Sequence, residues 1–393
     1  MQIQVEKTLD VEIVERELAQ LWTESARDPN ADTEAAVLRA RVANLLVFIS
    51  SEAGLDGVHR MLRELTAIHP SRALLMLGAR EATDQDIDMF VESICQTDKR
   101  GGIRLSCEEI TLKATGKFVA ELPSAALPLL VPDLATFLWW QHNLRVSDRV
   151  LDTLLRATDR LIIDSADFGD PLNELIETNS LYAQDQFDHV GISDLNWARL
   201  TFWRGLLADY YDVPAYQPFL NSIRHVRVDY VGPERAPDTL APQVLLIAGW
   251  LASRLQWQLS DEQPVAANEQ TTYFTFKSND GRAIKLELNR VERGEHKPGR
   301  LVHVELRAGG DERGTRPASF IVSRSEDNLH LVTEAKLGPT SHRGRVLPVR
   351  NRSTAQLLSR EMEILCNDQI YQEAVAVAAK MISHSTTILF RKV

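Results

Sequence analysis

The sequence predicts an α/β domain, a mostly parallel sheet with helices on both faces, followed by an α+β domain with an antiparallel sheet. Three observations carry that expectation. Strand-like and helix-like stretches alternate over residues 1–220, the pattern of parallel strands joined by helical crossovers. Over residues 221–393 short alternating runs follow one another directly, with Gly and Asn turns between them. The run Thr136-Phe-Leu-Trp-Trp140 is short, apolar and free of helical spacing, as in a strand buried on both faces in mid-sheet. The expected domains are therefore 1–220 and 221–393.

Taken in order, Leu9, Ile13, Leu18, Leu21 and Trp22 form a helical stripe over 9–24, with Asp10 as a candidate cap. A second helical stretch begins near Thr33 and runs into Leu45–Ile49, the expected first core strand. Gly57–Ala67 reads as helix and Arg72–Leu77 as strand. Asp84–Thr97 reads as helix, because Ile87, Phe90, Val91 and Ile94 share one helical face. A strand over Ile103–Leu112 follows, then a helix over Ser124–Leu130 leading to the Thr136–Trp140 strand. Asp148–Thr158 is helical, Leu161–Asp164 a strand, and Pro171–Asp185 and Asn196–Tyr211 are helices. In the second half Ser222–Val231 alternates as a strand and Pro242–Leu255 is an apolar helix. The runs Tyr273–Lys277 and Ile284–Leu288 flank Asn279-Asp-Gly281, a hairpin signal. Further strands are expected at Leu301–Leu306, Ser319–Val322 and Leu329–Thr333, and one long helix at Ser353–His384.

Composition narrows the function classes. Of 393 residues, 44% are hydrophobic and 25% charged, as in ordinary globular chains. No apolar run has the length of a membrane span, and the first residues do not read as a signal peptide. Cys95, Cys107 and Cys366 form no CxxC pair and no zinc spacing; a cytoplasmic location is expected. Net charge is −11, and the first 220 residues carry 20 basic against 35 acidic side chains. Such a surface repels phosphate backbones, which argues against nucleic acid. The second half is mildly basic, and its densest patch is Arg343-Gly-Arg-Val-Leu-Pro-Val-Arg-Asn-Arg352. That run reads as a solvated loop or a contact for an acidic partner.

No glycine-rich dinucleotide turn, phosphate loop, HExxH or GxSxG is present. The turn after the first core strand is Ser50-Ser-Glu-Ala-Gly54, with one glycine and a carboxylate. No cofactor or metal is expected. Four clusters remain. His69-Pro-Ser-Arg72 precedes a strand, as a Pro-fixed turn with a structural Arg or as a contact. Gln141 and His142 follow the Trp strand, and Asp164-Ser165 ends the next one. The carboxyl edge of an open α/β sheet is where ligands bind, so these four residues are candidates for one crevice; His142 has no spacing of a catalytic triad. Asp194 suits a helix cap and Trp197 suits packing, which leaves Arg199 and Arg204 as partner or anion contacts. The last group is Arg343, Arg345, Arg350 and Arg352.

Taken together, His69-Pro-Ser-Arg72, the segment Pro128-Leu-Leu-Val-Pro-Asp-Leu-Ala-Thr-Phe-Leu-Trp-Trp140, Leu161-Ile-Ile-Asp-Ser165 and Asp194-Leu-Asn-Trp-Ala-Arg-Leu200 resemble the glucose-6-phosphate dehydrogenase assembly protein family (OpcA) in order and spacing. The resemblance implies a non-catalytic partner that assembles or activates glucose-6-phosphate dehydrogenase in the oxidative pentose phosphate pathway. In photosynthetic bacteria the family is linked to thioredoxin control through cysteines near the C-terminus. Here only Cys366 lies there, so no dithiol switch is expected. The competing reading is a small-ligand sensor or enzyme, for a sugar phosphate or nucleotide, using Gln141, His142, Asp164 and Ser165.

Overall fold

The computed structural model describes residues 2–5, 12, 14–16, 18–20, 37–39, 42–66, 68–81, 87–97, 104–292, 294–309, 316–349, 352–364 and 366–385. The first sheet contains β1 (Gln2–Val5), β2 (Val37–Arg39), β3 (Asn44–Ile49), β4 (Arg72–Ala79), β5 (Ile87–Thr97), β6 (Arg104–Thr115), β7 (Thr136–Gln141), β8 (Arg160–Ile163) and β9 (Gly191–Asp194). Its order is β1-β5-β6-β4-β3-β7-β8-β9, with β2 also on β6. From β6 to β9 every pairing is parallel. The Trp-rich segment is internal, between β3 and β8, and Phe137, Leu138, Trp139 and Trp140 are buried. Every residue of β3 is buried as well, so its continuous apolar run is what a strand covered on both faces requires.

Two expectations fail in this sheet. Ile87–Thr97, read as helix, is β5, paired antiparallel with β6 from Ile87–Ala114 to Thr97–Arg104; residues 84–86 lie outside the described residues. The spacing of Ile87, Phe90, Val91 and Ile94 fits a helix. However, the segment is rich in β-branched side chains, and a long pairing partner decides the outcome. The strand β9 was not expected at all, since Gly-Ile-Ser-Asp is too short to show a period. Of the 9–24 helix, residues 12, 14–16 and 18–20 are helical, with Val14 and Leu18 buried. Leu9, Asp10, Ile13, Leu21, Trp22 and the residues near Thr33 lie outside the described residues.

The second sheet holds β10 (Ile223–Val231), β11 (Gln258–Leu259), β12 (Val265–Ala266), β13 (Thr271–Lys277), β14 (Ala283–Val291), β15 (Leu301–Ala308), β16 (Ala318–Arg324), β17 (His330–Leu337) and β18 (Thr340–Pro348). The order is β11-β13-β14-β10-β15-β16-β17-β18, with β12 also on β13. It is antiparallel except for the parallel pair β10–β14. The β13–β14 hairpin turns at Ser278–Gly281, where Gly281 takes φ +78° and donates its N–H to the Ser278 carbonyl at 2.8 Å. Val226, Val228, Leu286, Leu288, Val304 and Leu306 point into one apolar face. The Pro242–Arg254 helix is buried along most of its length and packs on the Gln369–His384 helix. Added at Gly249, a Cβ would lie 2.2 Å from the Ala374 carbonyl oxygen, so only glycine permits this approach.

The single helix expected over Ser353–His384 is two, Thr354–Met362 and Gln369–His384. Each has its own start signal. Ser353 and Gln356 make a capping box, and Asp368 accepts from the Tyr371 N–H at 2.9 Å. The two helices fall in different compact units. One unit comprises residues 1–163, 184–195 and 352–367; the other comprises 164–183, 196–351 and 368–393. A cut at residue 220 separates the two sheets in sequence, whereas the compact units interleave along the chain.

Candidate functional site

In the first unit, buried arginines anchor the amino ends of parallel strands. Arg72 opens β4 and is 2% exposed. Its Nε donates to Glu108 Oε2 at 2.6 Å, and its Nη1 to Glu15 Oε1 at 2.6 Å and the Leu129 carbonyl at 2.8 Å. Arg160 opens β8, with Nη1 on Ser193 Oγ at 2.7 Å and Nη2 on the Cys366 carbonyl at 2.5 Å. A Cβ at Gly191 would lie 2.9 Å from that guanidinium. Of the predicted contact candidates, Arg72 is thus a structural anchor. His69 lies in the turn before β4, half-buried, with its imidazole pKa lowered by burial against the opposing pull of Glu363.

At the carboxyl end of the same sheet, Gln141 closes β7 and His142 follows, both half-buried. Phe48 stacks on Trp140 with centroids 4.3 Å apart, and the His142 ring lies 6.0 Å from each. Burial lowers the His142 pKa, and the Arg80 charge adds to it, against the opposing pull of Asp148. The turn after β3 forms a short 3-10 helix, Glu52–Gly54, in which Lys113 Nζ reaches Glu52 Oε1 at 3.3 Å. Gly54 has open space where its Cβ would be.

Asp164 and Ser165 belong to the second unit, unlike Gln141 and His142, and each pair sits among its own neighbours. Asp164 receives Arg199 in a two-pronged contact at 2.6 and 2.7 Å. Beside it runs a buried relay. Asn196 Nδ2 donates to Ser165 Oγ at 3.1 Å, Gln243 Nε2 to Asn196 Oδ1 at 2.7 Å, and the Leu301 N–H to Gln243 Oε1 at 3.1 Å. Ser165, Asn196 and Gln243 are at most 2% exposed. The relay brings the start of β15, and with it Arg300, to the Asp164 turn. Arg324, at the end of β16, donates to the Leu301 carbonyl at 3.4 Å. Burial, then the like charge of Arg199, pushes the Arg300 guanidinium down to about 10. Asp167 is raised by loss of water and by Asp164, and Arg235 donates to its backbone carbonyl at 3.2 Å. Sequence reasoning found Asp164, Ser165 and Arg199 but missed Arg300, Arg324, Asn196 and Gln243. Only strand register and the relay unite them, and no local motif announces that.

Two other candidates turn inward. Asp194 is 1% exposed. Trp197 is buried, donates Nε1 to Asp368 Oδ2 at 2.9 Å, and carries the Arg204 guanidinium 3.4 Å from its ring centroid. Asp194 and Trp197 are thus core residues rather than surface contacts, and Arg204 is committed to the indole face. The first part of the basic run, Arg343 to Pro348, read as a loop, is instead the end of strand β18, which among the described residues pairs with β17 alone and is exposed along nearly all its length. Arg343 and Arg345 project from it, and Arg345 reaches Asp209 Oδ2 at 2.5 Å. Arg352 is half-buried, and Arg350 lies outside the described residues. A pocket of about 350 Å³ opens at the ends of β10 and β14, lined by Glu234, Asp238, Arg290 and Glu292 among others, with Arg290 tied to Asp238 at 2.5 Å. Among the described residues there is no cluster of His, Cys, Asp and Glu arranged to hold a metal, and no helix is long and apolar enough to cross a membrane.

The chain is 26% identical over 333 residues to the OxPP cycle protein OpcA of Nostoc punctiforme, spanning 84% of this chain and 69% of that protein. To its namesake from Synechococcus elongatus it is 26% identical over 322 residues, 81% of this chain and 69% of the other. Among solved structures, the 3-ketoreductase KijD10 of Actinomadura kijaniata, in complex with NADP and TDP-benzene, overlaps 88% of this chain and 97% of its own at 11% identity and a TM-score of 0.49; nothing of that enzyme's chemistry transfers at such a distance. Residues 63–180 match the family model of the glucose-6-phosphate dehydrogenase subunit N-terminal domain, and residues 190–375 that of its C-terminal domain. The chain belongs to the glucose-6-phosphate dehydrogenase assembly protein family, OpcA.

Proposed function

We propose that this protein binds glucose-6-phosphate dehydrogenase in the cytoplasm and supports its activity in the oxidative pentose phosphate pathway, without turnover of its own. The observation that carries the reading is the match of both halves of the chain to the two domains of one family. The local chemistry agrees with a binding role. Glu52 stands at the turn where a phosphate-cradling loop would need backbone N–H groups and no carboxylate. The stacked Phe48 and Trp140 fill the carboxyl end of the central strands.

The contact we assign to β18. Among the described residues β18 is an edge strand, which leaves one row of backbone groups for another chain, and Arg343 and Arg345 supply planar, charged anchors beside it. Activation needs only that the partner's active state bind more tightly than its inactive one, and tenfold is about 1.4 kcal/mol. The test is co-elution with the dehydrogenase from the same organism, and its kinetics with and without this protein. Activation lost in Arg343→Glu/Arg345→Glu, with circular dichroism unchanged, supports the assignment of the surface. A protein that neither co-elutes nor alters the kinetics overturns the function.

A further inference from the structure

We propose that Arg199, Arg300 and Arg324 form a binding site for the phosphate group of a small molecule. The relay from Ser165 through Asn196 and Gln243 to the Leu301 N–H is buried and hydrogen-bonded at every link. It fixes the residue before Leu301, Arg300, beside the Asp164 turn. Arg324 is held at the same place by its bond to the Leu301 carbonyl. The site is therefore built by packing, with three guanidinium groups brought to it from the 195–199 helix, the start of β15 and the end of β16.

Its charges are not balanced from within. Asp164 gives both carboxylate oxygens to Arg199. Arg300 makes no side-chain hydrogen bond or ion pair with the described residues, although it lies within electrostatic reach of Arg199, Arg324, Asp164 and Asp167. A half-buried guanidinium beside two others, with its forks unfilled, is held at a cost that an external anion removes. A phosphate group suits the place better than a single carboxylate. It offers three oxygens and up to two negative charges to donors arriving from three directions. The inference does not rest on the assembly reading, because it concerns a site in the second unit and can be read without the dehydrogenase.

The experiment is calorimetric titration and thermal melting of the whole chain with inorganic phosphate and with glycerol 3-phosphate, each against sodium chloride at equal ionic strength. A ligand bound only by the folded chain raises its melting temperature in a saturable way. We expect saturable binding of at least one probe, weakened tenfold or more in Arg300→Gln and again in Arg324→Gln. The ligand-free melting temperature of Arg300→Gln should not fall below that of the wild type, since this side chain makes no hydrogen bond or ion pair with the described residues and its charge is held at a cost. Tighter binding of glycerol 3-phosphate supports a phosphate ester as the ligand, and tighter binding of inorganic phosphate supports the free ion. No saturable effect beyond chloride, or undiminished binding in Arg300→Gln, overturns the proposal.

Discussion

At the scale of single residues, buried polar groups do more to fix this structure than exposed ones. Arg72 is the clearest case, since its guanidinium holds Glu108, whose side chain is fully buried, together with Glu15 and the Leu129 carbonyl. Arg72→Ala removes that guanidinium from beside a buried carboxylate, and the expected loss is about 3–5 kcal/mol. Urea unfolding at neutral pH measures it, and a loss below about 1 kcal/mol would mean that water takes over the role. Tyr210 makes a second prediction. Its hydroxyl faces the carbonyls of Ile321 at 2.5 Å and Glu334 at 3.0 Å, and burial pushes its pKa from 10.0 up to about 12. The folded state thus holds the phenol proton more tightly than the unfolded chain. That stabilisation is complete below pH 10 and is lost as the pH rises from 10 to about 12. Tyr210→Phe should cost about 1 kcal/mol at neutral pH. Its stability should then fall less steeply than the wild type's over pH 10–12. Tyr211 is also raised by burial, so the difference between the two proteins, not the wild-type slope, is the readout.

At the scale of elements, the close contact of the Pro242–Arg254 and Gln369–His384 helices yields a prediction whose sign is informative. Alanine is the better helix former by about 1 kcal/mol, so Gly249→Ala would stabilise an open helix. Here the new Cβ meets the Ala374 carbonyl at 2.2 Å. Backbone cannot swing aside as a side chain can, and we expect a net loss of about 1–3 kcal/mol in thermal or urea unfolding. A gain would mean that the helices separate freely. The same contrast between local and distant causes explains what the sequence made legible. The strands β3, β6 and β7 and the β13–β14 hairpin carry their own apolar or turn pattern. In contrast, β5 was misread because its spacing satisfied a helix while its partner lay in β6. Nothing local marks β18 either, since Arg343-Gly-Arg-Val-Leu-Pro348 lacks apolar alternation and is a strand only through β17. The site divides the same way. Asp164 is legible from its place at a strand end and Arg199 as the charge left over by a cap and a packing residue, whereas Arg300 and Arg324 enter through the register of β15 with β16 and the relay through Gln243.

At the scale of the whole molecule, the two compact units are interleaved in sequence, and this decides which pieces of the chain can fold alone. A division at residue 220 looks natural from the sheets, because β9 ends at Asp194 and β10 begins at Ile223. Yet the first unit is completed by residues 352–367. The Thr354–Met362 helix in that segment packs on the Leu55–Thr66 helix, and Ser353 Oγ donates to Glu64 Oε1 at 2.5 Å. Arg160, 1% exposed, needs the Cys366 carbonyl as an acceptor. A chain ending at 220 therefore loses a buried partner of that guanidinium and the helix that packs on Leu55–Thr66. It also carries the Pro171–Leu181 helix, whose packing partner, the Gln369–His384 helix, is missing. Unsatisfied buried polar groups and bared apolar surface both act against folding. We expect fragment 1–220 to lack a cooperative thermal transition, or to melt well below the whole protein. Co-expression with fragment 221–393 should restore soluble material, because the missing segments are then supplied from the second chain. Circular dichroism melts and co-purification of the two fragments make the test. A fragment 1–220 that unfolds cooperatively at the temperature of the intact chain would show that the first sheet does not depend on the returning segment.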